Sequence, residues 1–122
     1  MKLIIAGGRD FKDYWLLCYK LDRLLVNINK EDILIIGGGA SGADTLGIDY
    51  AKERGIAWVV VEAQWTLHNG KKDYSAGHKR NCKMASMATH LVAFWDGKST
   101  GTADMISISK CLKLNVRVVS YD

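Results

Sequence analysis

Five short apolar runs alternate with four helix-patterned stretches along this chain, and that alternation limits the fold more than any other feature. The runs are Lys2–Ala6, Ile33–Ile36, Trp58–Val61, His90–Trp95 and Val116–Ser120. They are near-continuous rather than alternating, which predicts strands covered on both faces of a parallel sheet. Between them, Tyr14, Leu17, Cys18, Leu21, Leu24, Leu25 and Ile28 recur at helical spacing, as do Ala43, Leu46, Gly47, Tyr50 and Ala51. Gly77, Asn81, Met84, Ala85 and Ala88 form a weaker pattern, and Met105, Ile108, Ser109 and Leu112 complete the set. A β-α-β-α-β-α-β-α-β order predicts right-handed crossovers and helices on both faces of the sheet. The 122 residues contain no proline, linker or repeat, and fit one domain, 1–122, with one core.

Composition removes several function classes. No apolar run approaches the roughly 18–20 residues of a membrane span. The apolar start reads as a strand rather than a secretory segment, so no membrane partner is expected. Cys18, Cys82 and Cys111 are odd in number and far apart. They form neither a disulfide framework nor a metal-ligand pair, so a cytoplasmic protein without a metal site is expected. The net charge of +4 is local: Lys71, Lys72, Lys79, Arg80 and Lys83 face only Asp73 within 71–83, and the other charges balance. This predicts an anionic ligand or partner near that segment. A solvated helix face is the alternative reading.

In a parallel sheet all strand-to-helix loops leave at one edge, where ligands of such folds sit. Those loops are 7–12, 37–44, 62–73 and 96–102, and three of them carry glycines at the strand exit. Gly37-Gly38-Gly39-Ala40-Ser41-Gly42 holds a G-x-G-x-x-G spacing between a strand and a helix. Such glycines let backbone approach a phosphate, and the helix N-terminus favours the anion. They also suit a turn that only packs a helix close to a strand. Glu62, 20 residues past Gly42, is placed to meet a ribose hydroxyl. Asp44 is placed for capping or for ligand contact. Gly97, Ser99, Thr100, Gly101 and Thr102 make a second candidate anion loop, with helix capping as the alternative. In the first loop, Gly7 and Gly8 precede Arg9, which can fork onto a phosphate. Asp10 or Asp13 is expected to cap the first helix. Trp65, His68, Tyr74, His78, Lys79, Arg80 and Asn81 mix aromatics with basic groups, a pattern that suits a stacked base and paired phosphates. No Walker, H-E-x-x-H or G-x-S-x-G sequence occurs, and the residues point to binding ahead of catalysis.

Four segments occur in order: Gly7-Gly8-Arg9-Asp10-Phe11; Gly38 to Asp44; Ala76 to Asn81 with Met84; and Gly97 to Thr102 with Met105-Ile106. Together they resemble the small stand-alone branch of the SLOG superfamily, which includes the lonely-guy phosphoribohydrolases and the DNA-processing DprA proteins. The resemblance implies an α/β fold, a Rossmann-like three-layer sandwich. Its five-stranded parallel sheet would have the order 3-2-1-4-5. It also implies a nucleotide-type ligand over the loops after strands one, two and four, frequent homodimers or higher oligomers, and a bacterial or phage source. Arg80 matches the arginine of the enzymes' motif and carries over as a phosphate or ribose-phosphate contact. The enzymes' glutamate position falls on Met105, so hydrolysis loses its key carboxylate.

The expected function is therefore binding of a nucleotide or nucleotide-derived ligand, of NAD, ADP-ribose or nucleoside-phosphate type, by a sensor or binding module. The expected contacts are Gly7, Gly8, Arg9, Gly38, Gly39, Ser41, Gly42, Asp44, Arg80, Asn81, Gly97, Ser99, Thr100, Gly101 and Thr102. No further cofactor is expected. One alternative is a nucleotide N-glycosidic hydrolase using Asp44, Asp104 or Glu62. The other is single-stranded DNA binding in the manner of DprA, with nucleic acid ranked behind a small-molecule partner.

Overall fold

A computed structural model describes residues 1–121. The elements are β1 (Lys2–Gly7), α1 (Tyr14–Leu25), β2 (Leu34–Gly37), α2 (Ala43–Arg54), β3 (Ala57–Val60), α3 (Ala76–Met87), β4 (His90–Trp95), α4 (Thr100–Cys111) and β5 (Asn115–Ser120). All five strands pair in parallel in the order β3-β2-β1-β4-β5. The expected fold and strand order are both present. No helix among the described residues is long and apolar enough to cross a membrane.

The sheet separates two apolar clusters. Leu3, Ile5 and Ile35 pack with Leu17, Leu21, Ile48 and Tyr50 on the α1–α2 side. Ile4, Ala6, Ile36 and Ala93 pack with Met84, Ala85, Met105 and Ile106 on the α3–α4 side. Alternate residues of β1 thus serve opposite faces, as the two-residue period of a strand requires. The chain steps from β1 to β2 to β3 along one side, then returns across the sheet to β4. The helices change face at that return, so the loops after β1 and β4 diverge from adjacent strands and leave a crevice between them.

One expectation fails at the margins. The outer strands are not covered on both faces: Trp58 on β3 is 43% exposed and Val118 on β5 is 39% exposed. A helix in this layout spans the strands it connects, so the outermost strand has no second helix over it. Lys52 lies over the Trp58 ring at 4.8 Å and screens part of it. The helix ends follow local chemistry. Asp13, not Asp10, caps α1 by accepting the Leu16 amide at 3.0 Å. Gly55 ends α2 in the left-handed region at φ 69°. Lys113 takes the same role after α4 at φ 62°, without glycine's freedom.

Candidate functional site

A cleft of about 730 Å³ opens where the β1 and β4 loops diverge. Gly7, Gly8, Arg9 and Asp44 line it together with Arg80, Asn81, Ser99, Thr100, Gly101 and Thr102. Asp104 and Met105 also line it. Four loops distant in sequence therefore reach one crevice, as the parallel sheet dictates. Gly38, Gly39 and Ser41 border a smaller adjoining depression with Glu62 and Arg9. Gly42 and Gly97 do not line the cleft.

The glycines of the first two loops serve close packing. A Cβ on Gly7 would lie 2.4 Å from the Phe94 carbonyl oxygen, and one on Gly8 would lie 2.0 Å from the Tyr121 hydroxyl. Gly42 has φ +79°, and a Cβ there would lie 2.2 Å from the Gly8 carbonyl oxygen. That oxygen accepts the amides of Phe11 at 3.2 Å and Ala43 at 3.3 Å, so the Gly8 backbone joins the first loop to the start of α2. Phe11 is buried against Phe94 and Tyr121, with ring centroids 4.9 and 4.7 Å away. The Tyr121 hydroxyl donates to Asp10 at 2.9 Å, and burial with that bond pushes its pKa up to about 12.

The two helix N-termini at the cleft differ. At α2 the anion is internal. The Asp44 carboxylate, 7% exposed, accepts the amide of Ala40 at 3.3 Å, lies against Gly38, and feels the charges of Arg80 and Arg9. Burial outweighs those contacts and raises its pKa to about 6. The G-x-G-x-x-G loop thus turns backbone donors onto its own carboxylate. The side chain holding them can give or take a proton near neutral pH.

At α4 the N-terminus is open. Asp96 accepts the amides of Lys98 and Ser99, each at 2.8 Å, and those bonds hold its carboxyl below the usual range. The next amides, of Thr100, Gly101 and Thr102, open the helix and have no intrahelical partner. No acidic residue lies in the first turn of α4. The Ser99 and Thr102 hydroxyls lie 3.2 Å apart, and Ser99 makes no side-chain cap bond to the helix. A Cβ on Gly101 would meet nothing within 4 Å.

Helix α3 brings the remaining polar groups. The Arg80 guanidinium donates to the Gly38 carbonyl oxygen and, through Nε, to Asn81 Oδ1 at 3.1 Å. Asn81, 5% exposed, donates through Nδ2 to Asp104 Oδ2 at 3.0 Å. His78 Nδ1 lies 2.9 Å from Asp104 Oδ1, so the helix-face candidate Asp104 is held by two α3 side chains. Met105, at the position of the enzymes' glutamate, is 1% exposed and packs in the α3–α4 cluster. Among the described residues, no group of three His, Cys, Asp or Glu could hold a metal ion.

Two exposed aromatics stand at the rim, Trp65 at 43% and Tyr74 at 86%. The segment bearing them is folded back on itself: Thr66 and Lys72 form an antiparallel bridge, and the Asp73 amide donates to the Trp65 carbonyl oxygen at 2.6 Å. Asp73 pairs with Lys79 at 2.9 Å and accepts from Ser75, contacts that bring its carboxyl down to about 2. The sequence pattern predicts only a loop over 62–73, and this short hairpin within it is a difference the structure shows. Asp10, Asp96 and Tyr121 were also outside the expected site. Asp96 has a local signal, since an aspartate two and three residues before free amides makes a turn of its own.

The family model of the YspA, cpYpsA-related SLOG family matches residues 1–68. The chain belongs to that family. The match takes in the β1 and β2 loops and ends ahead of α3. DNA processing protein A from Streptococcus pneumoniae shares the SLOG-type fold with a TM-score of 0.74 at 12% identity, over 99% of this chain and 50% of that one. DNA processing protein A from Helicobacter pylori, in a structure concerned with its single-stranded DNA binding mode, gives 0.72 at 16% identity, over 100% of this chain and 66% of that one. The chain therefore spans half to about two-thirds of the solved chains it resembles. No curated protein matches it significantly in sequence.

Proposed function

We propose that this SLOG domain, 1–122, binds a phosphate-bearing nucleotide or nucleotide-derived ligand in the crevice between the β1 and β4 loops. The observation that carries the reading is the open first turn of α4, whose residues Thr100, Gly101 and Thr102 line the same cleft as Arg9 and Arg80. Backbone donors, a helix dipole and two guanidinium groups together favour a phosphate. The cleft volume falls within the roughly 300–1,000 Å³ range of small-molecule sites. Trp65 and Tyr74 offer ring faces for a base at the same rim. The Gly37–Gly42 loop acts here as the wall that holds Asp44 and orients Arg80. A binding or sensing role fits better than glycosidic cleavage, because Met105 puts thioether and methylene where the related hydrolases carry a carboxylate.

The test is Gly101→Asp. It sets a carboxylate at the proposed phosphate position, in open space and at a helix start where an acid stabilises by about 0.3–1 kcal/mol. Calorimetric titration with AMP, ADP, ADP-ribose, NAD and adenosine is expected to show binding of at least one phosphate-bearing compound. That binding should be lost in the variant, with Tm held or raised. Unchanged affinity in a folded Gly101→Asp protein refutes the placement.

The exposed Tyr74 ring beside Lys72, 5.4 Å from its centroid, favours a second reading: single-stranded nucleic acid along the 71–83 rim. Labelled oligothymidylate should then bind with an affinity that falls steeply with salt and drops on Tyr74→Ala. Binding that resists salt, or survives that substitution, excludes it.

A further inference from the structure

Cys82 lies one turn beyond His78 on α3, with its Sγ 3.6 Å from His78 Nε2. The other ring nitrogen, Nδ1, contacts Asp104 at 2.9 Å and 3.1 Å through the two carboxylate oxygens. Asp104 is fixed in turn by Asn81. A carboxylate on Nδ1 keeps the proton on that nitrogen and leaves Nε2 as the acceptor, turned toward the thiol. A nucleophile, a base within reach of it and a group that orients the base are thus in line. None of this is needed by the ligand reading above.

We propose that Cys82 is a reactive thiol, served by His78 and positioned through Asp104, that undergoes exchange with small disulfides. The Sγ–H proton passes to His78 Nε2 while Sγ bonds to one sulfur of the disulfide. The S–S bond breaks, and the departing sulfur takes the proton from the imidazolium and leaves as a free thiol. One S–S bond breaks and one forms: a sulfur of the reagent leaves as thiol, the other stays bonded to Cys82, and no other oxidant is required. Cys18 and Cys111 are free. Cys18 sits on α1 across the sheet, and Cys111 lies seven residues, about 10 Å, beyond Asp104 along α4. The product is a mixed disulfide on Cys82, one turn from His78 in the cleft wall.

The probe is 2,2′-dithiodipyridine, with thiopyridone release followed by absorbance and the modified cysteine assigned by peptide mass spectrometry. Exposed Cys111 is the internal reference. In the native protein Cys82 is expected to react at least ten-fold faster than Cys111, and the two rates to converge in denaturant. His78→Gln should bring Cys82 down to the Cys111 rate while leaving Cys111 unchanged. Asp104→Asn should give an intermediate loss, and Cys82→Ser should remove the fast phase. A native Cys82 rate no greater than that of Cys111 overturns the proposal without recourse to any variant. So does a His78→Gln protein, folded by circular dichroism, that keeps the fast phase.

Discussion

Replacing Asp44 with asparagine should make the protein more stable at alkaline pH relative to wild type, by an amount fixed by the buried carboxyl. The Asp44 pKa rises from 3.8 to about 6 in the folded chain, mainly through burial. Between those values the folded state holds a proton that the unfolded state has released, so wild-type stability falls as pH rises through that window. The full penalty above the window is about 3 kcal/mol, and roughly 1.6 kcal/mol of it is already present at pH 5. Asparagine cannot ionise and can still accept the Ala40 amide. Whatever constant cost its amide nitrogen brings cancels when two pH values are compared. The stability difference between Asp44→Asn and wild type should therefore move in the variant's favour by about 1.4 kcal/mol from pH 5 to pH 8. With an m-value of about 2 kcal/mol/M, that is roughly 0.7 M in the urea midpoint. Urea titrations of both proteins at pH 5, 6, 7 and 8, followed by circular dichroism, measure it. A difference that stays flat across the series, or moves the other way, refutes the argument that burial outweighs the loop amides and Arg80.

Three further substitutions test local claims by denaturant unfolding. Gly42→Ala should destabilise by about 2–5 kcal/mol, because it adds overpacking against the Gly8 carbonyl to a positive φ; a loss below 1 kcal/mol would mean that the two loops separate freely. Ser109→Ala should raise stability by about 1 kcal/mol, since the buried Ser109 hydroxyl has no partner among the described residues; a loss would indicate that the hydroxyl is satisfied. Lys113→Gly should gain up to about 1 kcal/mol by relieving the left-handed backbone after α4; destabilisation would place the cost in the unfolded chain instead.

The sheet was readable because hydrophobic runs of four to six residues and their flanking turns report burial directly. Strand ends agree to within a residue or so, as for Ile33–Ile36 against Leu34–Gly37. The exposure of Trp58 and Val118 was not readable, since it follows from which strand lies outermost. Glycine spacing singles out 37–42 and 96–102, yet spacing alone does not say which set of amides is free. That depends on Asp44 folding back onto Gly38 and Ala40, and on Asp96 stopping at Ser99. Gly7, Gly8 and Gly42 are glycines because three loops touch, a reason that appears only when distant segments meet. The link from His78 to Asp104 joins helices across 26 residues, and only its i to i+4 neighbour Cys82 was visible locally.

The bond from Tyr121 to Asp10 spans 111 residues, nearly the whole chain. Its ring also packs on Phe11 and crowds Gly8, so the loop after β1 is braced by the residue that follows β5. The rim therefore reaches its final shape only after β5 has docked beside β4. A chain that carries β1, its glycines and Arg9 but lacks β5 cannot present the finished rim.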